Sequence, residues 1–191
     1  MKYKVAIFGN ANSGKNTVAS LIIKYLNLKK KDCKIASFAD PMKKIIKIAI
    51  PDADEEYLYG KSELRTEIIP GYYLDDNGDF LTHRKALTDL GAFFRKYNEQ
   101  VWIKCLDYDF KQSKKQCYIV ADGRFINEFN YLKSKGFTII KVKRDGLNVG
   151  TDVSETEQKL IQDESFDYII DNSKSLKKLS KTIKGILNDI G

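Results

Sequence analysis

A glycine-rich stretch near the start of the chain constrains the fold most strongly. Residues 9–17 read GNANSGKNT and match the pattern G-x-x-x-x-G-K. The apolar residues 3–8 precede the stretch and predict a buried strand, and apolar residues recur at helical spacing over residues 18–26. A strand, a glycine loop and a helix in this order predict a loop whose backbone N–H groups surround a polyphosphate.

The residue types in this loop suit that chemistry. Gly9 and Gly14 let the backbone curl closely around phosphate, and the helix N-terminus adds partial positive charge. Asn16 stands where Ser or Thr usually contacts Mg²⁺, and the sequence leaves open whether Asn16 or Thr17 faces the metal. The residues predicted to bind the phosphates are Gly9, Asn12, Ser13, Gly14, Lys15, Asn16 and Thr17.

Length, charge and composition limit the class of protein to which this chain can belong. A chain of 191 residues can bury a full core, so one domain spanning 1–191 is expected. The net charge of +7 suits anionic partners, but the lysines are scattered and predict a solvated surface. Three widely spaced cysteines, no signal peptide and no long apolar run predict a soluble cytoplasmic protein with free thiols and no membrane contact.

The order of elements predicts an α/β fold with a parallel, doubly wound sheet flanked by helices. The five expected strands are residues 3–8, 34–39, 117–121, 137–142 and 166–170. Pro41 is expected to end the second strand, with a helix following over residues 42–49. A later helix should begin at Asn127, capped by that side chain, and stop at Gly136.

Residues 51–100 are less regular. Short helices are expected near residues 54–58 and 62–64, and a hairpin turn at residues 76–78. Residues 84–103 are expected to be largely helical. His83, the single histidine, is expected at the surface, and Trp102 in the core.

Ligands of such sheets bind beyond the carboxyl ends of the strands. This rule selects the glycine loop, Asp40, Asp122 with Arg124, and Arg144. Asp122 follows an apolar run and is the expected carboxylate for Mg²⁺, which gives Asn16, Thr17 and Asp122 as the metal ligands.

Two further arginines suggest an acceptor site. Arg84 and Arg95 lie eleven residues apart and share a face if one helix holds both. Two arginines on one face would clamp an acceptor phosphate.

Four motifs together resemble the deoxynucleoside monophosphate kinases of the bacteriophage type, within the P-loop nucleoside-kinase superfamily. The glycine loop is similar to that family's G-x-x-x-S-G-K-[DST]-T, and residues 37–43 are similar to its F-A-D-P-x-K stretch. Residues 84–102 resemble its R-x-x-L-x-x-x-G…R…W segment, and residues 120–128 its D-x-R-F-x-N-E, the most specific match. Asn16 departs from the family pattern, and Asp152 stands in place of an expected His.

The resemblance implies a P-loop kinase fold and transfer of the γ-phosphate of ATP to a deoxynucleoside 5′-monophosphate, with Mg²⁺. It implies an acceptor-binding insertion at about 51–100 and a lid at about 144–154. The implied catalytic residues are Lys15, Asp122, Arg124 and Arg144. The implied substrate contacts are Asp40, Lys43, Arg84, Arg95 and Arg124. The expected partners are small nucleotides without a stable nucleic-acid partner; a homodimer stays open, and the host cytoplasm is expected if the chain is viral.

Three other functions compete with this one. Another small-molecule kinase of the same fold, such as a dephospho-coenzyme A or phosphomevalonate kinase, would also suit residues 167–172 and the final helix. A switch GTPase is disfavoured because the chain lacks an N-K-x-D string and a D-x-x-G after the third strand. A basic nucleic-acid-binding module would use the positive charge but lacks an aromatic and basic platform.

Overall fold

A computed structural model describes residues 3–74, 78–146 and 153–191. The chain divides into two compact units, Met1–Ser37 with Leu106–Gly191, and Phe38–Cys105. Each unit has its own sheet and its own apolar core. Among the helices described, none is long and apolar enough to cross a membrane.

The elements follow one another in this order. They are β1 (Tyr3–Phe8), α1 (Lys15–Leu28), β2 (Cys33–Ala36), α2 (Asp40–Ala49), α3 (Glu55–Tyr59), a 3-10 turn (Ser62–Thr66), β3 (Ile68–Tyr73), β4 (Phe80–Thr82), α4 (His83–Tyr97), α5 (Val101–Gln112), β5 (Cys117–Gly123), α6 (Ile126–Ser134), β6 (Thr138–Lys143), α7 (Val153–Lys159), a 3-10 turn (Asp163–Ser165), β7 (Tyr168–Asp171) and α8 (Leu176–Asp189).

The larger unit contains the predicted five-stranded parallel sheet, in the order β2-β5-β1-β6-β7. Strand β1 lies in the centre, and its last residue, Phe8, pairs with Gly123 of β5 and Lys141 of β6. The connection after β1 runs to β2 on one side of the sheet, and the connection after the neighbouring β6 runs to β7 on the other. The carboxyl end of β1 therefore lies at the switch point where such sheets bind ligands.

Helices cover both faces of this sheet. Val5 and Ile7 of β1 belong to a buried cluster with residues of α1 and α8, such as Ile22 and Ile183. Phe8 points to the opposite face because side chains alternate along a strand. Its ring contacts other aromatic rings edge-on, those of Phe129 and Phe166. Burial of each large apolar side chain stabilises this arrangement by about 2 kcal/mol.

The structure corrects two predicted boundaries. Strand β2 ends at Ala36, and Asp40 is the first residue of α2 instead of the residue after a strand. Pro41 lies in the first helical turn, where its missing N–H costs nothing.

The predicted cap of α6 is also wrong. The helix begins at Ile126, so Asn127 already lies inside it. The carboxylate of Glu128 accepts from the N–H groups of Arg124 and Phe125, at 2.9 and 3.1 Å. The helix ends before Gly136, as predicted, and this glycine has φ +70°.

The smaller unit is built around the predicted short helices and hairpin. Strands β3 and β4 pair antiparallel, which confirms the hairpin, although residues 76 and 77 of its turn lie outside the described residues. Helix α3 and the first 3-10 turn confirm the two short helices. The core of this unit contains Ile46, Ala53, Leu58, Ile69 and Ala86.

The long helix predicted over residues 84–103 is broken in two. Helix α4 ends at Tyr97, where Asn98 takes an extended backbone and its side chain accepts from the N–H of Gln100 at 2.9 Å. Helix α5 starts at Val101. Trp102 is buried, as predicted, and donates to the carbonyl oxygen of Gly91 at 3.2 Å.

His83 does not lie at the surface. Its side chain is 1% exposed. The N–H of Asp54 donates to Nε2 at 2.9 Å, so the ring carries its proton on Nδ1, which donates to the carbonyl oxygen of Glu67 at 2.8 Å. The imidazole therefore joins the start of α3 to the chain before β3, a structural role that the surface prediction missed.

Candidate active site

The glycine loop connects β1 to α1 in a conformation that requires its glycines. Gly9 has φ +152° and Gly14 has φ +96°. A Cβ atom at Gly9 would lie 2.5 Å from the carbonyl oxygen of Val142. The loop therefore keeps its close approach to β6 only with glycine at this position.

Lys15 lies at the first turn of α1 and is buried. Its ammonium group donates to the carbonyl oxygens of Gly9 and Asn10, the latter at 2.7 Å. These two bonds hold the positive charge against the loop, at the carboxyl end of β1.

Ser13 adds a buried polar atom to the loop. Its hydroxyl has no hydrogen-bond partner among the residues that the structure describes. A buried hydroxyl without a partner is costly in free energy. A phosphate oxygen bound in the loop would supply an acceptor, so the loop fits a polyphosphate.

Gln158 on α7 makes hydrogen bonds to the glycine loop, and the sequence did not predict this role. The side chain is 2% exposed. Its Oε1 accepts from the N–H of Gly9 at 3.3 Å, and its Nε2 donates to Oδ1 of Asn10 at 2.9 Å. No local motif marks this residue, because its partners lie almost 150 positions earlier.

Asn172, directly after β7, is the second residue that was missed. Its Nδ2 donates to the carbonyl oxygen of Ser13 at 2.8 Å. The N–H of Ser173 and the ammonium group of Lys174 together lower the pKa of the preceding Asp171 to about 2. The strand-end rule applied to β7 could have found Asn172, since it lies at the same carboxyl edge as the loop.

Asp122 lies where the sequence placed it, next to the last residue of β5. Because Phe8 pairs with Gly123, Asp122 lies beside the end of β1, where the loop begins. The hydroxyl of Ser37, just after β2, donates to its carboxylate.

The arginines of this unit have different surroundings. Arg124 follows β5 and is half-buried, with its backbone N–H bound by Glu128. Arg144 follows β6 and is exposed. Residues 147–152 of the predicted lid, Asp152 among them, lie outside the described residues, and α7 begins at Val153.

The predicted acceptor residues lie in the smaller unit. Lys43 is buried, with Nζ 3.3 Å from the carboxylate of Asp40 and 4.8 Å from the ring centre of Tyr59. Arg84 and Arg95 both belong to α4, which meets the condition for a shared face. Arg84 donates to the carbonyl oxygen of Ser62 at 2.9 Å.

The available oxygen ligands suit a metal held mainly by its substrate. Within the described ranges there is no group of three or more His, Cys, Asp or Glu side chains that could hold a metal alone. Mg²⁺ typically uses one or two carboxylates together with substrate phosphates and water. Asp122, with the exposed side chains of Asn16 and Thr17, fits that requirement.

The sequence matches a known family over much of its length. Residues 76–183 match the model of the family described as deoxynucleotide monophosphate kinase. A protein of Acanthamoeba polyphaga mimivirus, named "Putative deoxynucleotide monophosphate kinase", is 28% identical over 195 residues, covering 94% of this chain and 93% of the viral protein.

Solved structures are less similar. A dephospho-CoA kinase from Campylobacter jejuni is 14% identical with a TM-score of 0.49, covering 100% of this chain and 98% of that one. An APS kinase from Mycobacterium tuberculosis is 9% identical with a TM-score of 0.45, covering 98% of each chain. At these values neither neighbour bears on function.

Proposed function

The chain belongs to the deoxynucleotide monophosphate kinase family and is therefore an enzyme that phosphorylates nucleotides, and we propose that the glycine loop is where it holds the phosphate donor, ATP. The reaction transfers the γ-phosphate of ATP to the 5′-phosphate of a deoxynucleoside monophosphate. The O–P bond between the β- and γ-phosphates breaks, and a bond forms from the acceptor phosphate oxygen to the γ-phosphorus.

The observation that carries the proposal is the arrangement at the end of β1. Gly9 and Gly14 give the loop its conformation, Lys15 is held against it, and the strand register brings Asp122 next to it. A helix N-terminus, a buried ammonium group and a strand-end carboxylate are what a metal-bound triphosphate needs.

The reaction needs alignment and positive charge more than proton transfer. The second pKa of an acceptor phosphate is about 6, so this group is already anionic near neutral pH. No general base is required. Lys15 lies close enough to the loop to stabilise charge on the β- and γ-phosphates, and we assign Arg124 to the migrating group.

We assign Asp122, Asn16 and Thr17 to Mg²⁺. When bound, this ion neutralises phosphate charge and fixes the geometry of the triphosphate. The role of this chain is to orient the Asp122 carboxylate, which the hydroxyl of Ser37 does directly.

We assign Asp40, Lys43, Arg84 and Arg95 to the acceptor. The two arginines project from one helix, α4, and a guanidinium binds phosphate in a bidentate manner. Arg144 and the segment at about 144–154 would act as a lid that keeps water from the γ-phosphate.

A panel of acceptors with Mg-ATP tests the proposal. The purified chain should phosphorylate at least one deoxynucleoside monophosphate and should show no turnover with dephospho-coenzyme A or phosphomevalonate. Product is measured as the nucleoside diphosphate by chromatography. Turnover confined to a non-nucleotide acceptor, or a requirement for a donor other than ATP, would contradict it.

Conservative variants test the acceptor assignment separately. Arg84→Lys and Arg95→Lys keep the charge but lose the bidentate geometry, so KM for the acceptor should rise about tenfold, with KM for ATP unchanged. Lys104→Ala, an exposed change on α5, is the matched control. An unchanged acceptor KM in both arginine variants would remove these residues from the acceptor site.

A further inference from the structure

Lysines that are scattered along the sequence come together on the pair of helices α1 and α8. Residues 9–31 contain five lysines, residues 172–188 contain five more, and neither stretch contains an Asp or a Glu. The two helices pack against each other and share one apolar core with the larger sheet. Positive charge is therefore concentrated on one side of this unit, although the sequence suggested an even spread.

Three lysines of α8 form a row along the exposed side of the helix. Lys177, Lys181 and Lys184 follow the spacing i, i+4, i+7, which places them on one face, and all three are exposed. The opposite face is apolar, and its Leu179 is buried in the core shared with α1. The helix carries no carboxylate before its last residue. We call Lys177, Lys181 and Lys184 the lysine row.

The lysine row continues onto the end of α1 through a tyrosine ring. Lys29, directly after α1, has its Nζ 4.6 Å from the centre of the Tyr25 ring, and Lys184 has its Nζ 5.9 Å from the same centre. Oδ1 of Asn188 accepts from the Tyr25 hydroxyl at 2.7 Å and from Lys29 at 3.1 Å, which fixes this arrangement. Two cations held at one ring repel each other, so an anion that contacts both would be bound favourably.

The surroundings of the lysine row distinguish between kinds of polyanion. A helix that binds a membrane surface places apolar side chains in the lipid, but those of α8 are buried in the protein core. Proteins that bind single-stranded nucleic acid stack the bases on aromatic rings, and α8 contains no aromatic residue. A row of ammonium groups alone suits the phosphates of a duplex, which can be bound without contact to the bases.

We propose that the lysine row and Lys29 bind the phosphate backbone of double-stranded nucleic acid, without preference for base sequence. Successive lysines of the row lie about 4.5–6 Å apart along the axis of α8. A DNA duplex carries one negative charge per about 1.7 Å of its axis, so each lysine can contact a different phosphate. None of these lysines is assigned to ATP, Mg²⁺ or the acceptor, so duplex binding does not depend on the proposed function.

Fluorescence anisotropy with a labelled DNA duplex of mixed sequence tests the proposal. The full chain should bind with a dissociation constant of about 1–10 µM at about 50 mM NaCl. The logarithm of the affinity should fall with the logarithm of the salt concentration with a slope of about −4, as expected for four phosphate contacts. The triple variant Lys177→Gln/Lys181→Gln/Lys184→Gln should weaken binding about 30-fold or more and make the slope shallower by about 3.

A second triple variant separates the lysine row from net charge. Lys85→Gln/Lys96→Gln/Lys104→Gln removes the same charge from three exposed positions of the smaller unit and should keep the affinity within about threefold of wild type. Thermal melts verify that both variants fold. Equal losses of affinity in the two triple variants would overturn the proposal, as would a wild-type chain that does not bind the duplex at low salt.

Two other probes distinguish the source of the phosphates. Tighter binding to a single strand of the same length, or binding to phosphatidylserine vesicles without binding to the duplex, would also overturn the proposal. The lysine-row variant should keep the kinase turnover of wild type. A wild-type chain without kinase activity would contradict the proposed function and leave duplex binding intact, so the two proposals fail independently.

Discussion

The hydroxyl of Ser37 donates a hydrogen bond to the carboxylate of Asp122, across the carboxyl ends of β2 and β5. This bond uses one of the acceptor sites of the carboxylate and restricts its rotation. Ser37 is thus a positioning residue in this scheme, and Asp122 the residue that acts on the ion.

The first prediction separates these two roles. Asp122→Ala should lower kcat about 100-fold or more, because it removes the proposed metal carboxylate. Ser37→Ala leaves that carboxylate in place and should lower kcat about tenfold, while raising the Mg²⁺ concentration needed for half-maximal rate. Ser37→Thr keeps the hydroxyl and is the matched control. Equal losses in Ser37→Ala and Asp122→Ala would contradict the division of roles.

The second prediction concerns Lys15. Lys15→Ala removes the buried ammonium group from the loop and should lower kcat/KM about 100-fold or more. Steady-state kinetics measure the loss, and urea unfolding checks that the chain remains folded. Lys24→Ala, an exposed change on the same helix, should leave both properties unchanged. A Lys15→Ala variant with full turnover would refute the proposed phosphate site.

The third prediction concerns the two hydrogen bonds that Gln158 on α7 makes with the glycine loop. Gln158→Leu removes both hydrogen bonds to the glycine loop, so the loop should hold ATP less well, and KM for ATP should rise about tenfold. Gln158→Glu keeps the acceptor for the N–H of Gly9 but loses the donor to Asn10. Its KM for ATP should therefore lie between the values of wild type and Gln158→Leu. KM for the acceptor is the internal control. A parallel rise in both KM values would indicate general loss of structure instead of loop positioning.

The fourth prediction concerns stability of the smaller unit. His83→Leu leaves the N–H of Asp54 without its acceptor and removes one of the two donors to the carbonyl oxygen of Glu67, which keeps the backbone N–H of residue 83. It should therefore lower the free energy of unfolding by about 2 kcal/mol. Urea titration followed by circular dichroism measures the change. Lys85→Ala, an exposed neighbour on α4, should shift it by less than about 0.5 kcal/mol. A His83→Leu variant as stable as the control would refute the stabilising role of the hydrogen bonds made by the buried imidazole.

The fifth prediction concerns alkaline pH. Burial, aided by a hydrogen bond with Cys117, raises the pKa of Cys33 from 9.0 to about 12. Because the folded pKa is the higher one, the contribution of Cys33 to stability is fully present below pH 9 and is lost as pH rises toward about 12. Urea unfolding at several pH values should show a shallower alkaline decline in Cys33→Ala than in wild type. An identical alkaline decline of the free energy of unfolding in both proteins would contradict the raised pKa of Cys33.

Local sequence patterns were sufficient to predict the order of strands and helices and the position of the glycine loop. Hydrophobic periodicity depends on neighbouring residues, so it correctly predicted β1, α1 and the parallel sheet. The strand-end rule then selected Asp122, whose position next to the loop follows from strand register. The break after Tyr97 was missed because apolar spacing continues across it, while the side chain of Asn98 bonds the backbone there instead.

The sequence by itself therefore determined the fold class, the glycine loop between β1 and α1, and the position of Asp122 at the carboxyl edge of the sheet. Tertiary structure decided that Gln158 and Asn172 hold the loop, and that His83 is buried. The physical reason is distance along the chain. Periodicity and capping act over a few residues, whereas these side chains find their partners only after packing brings segments 16 to 159 residues apart into contact.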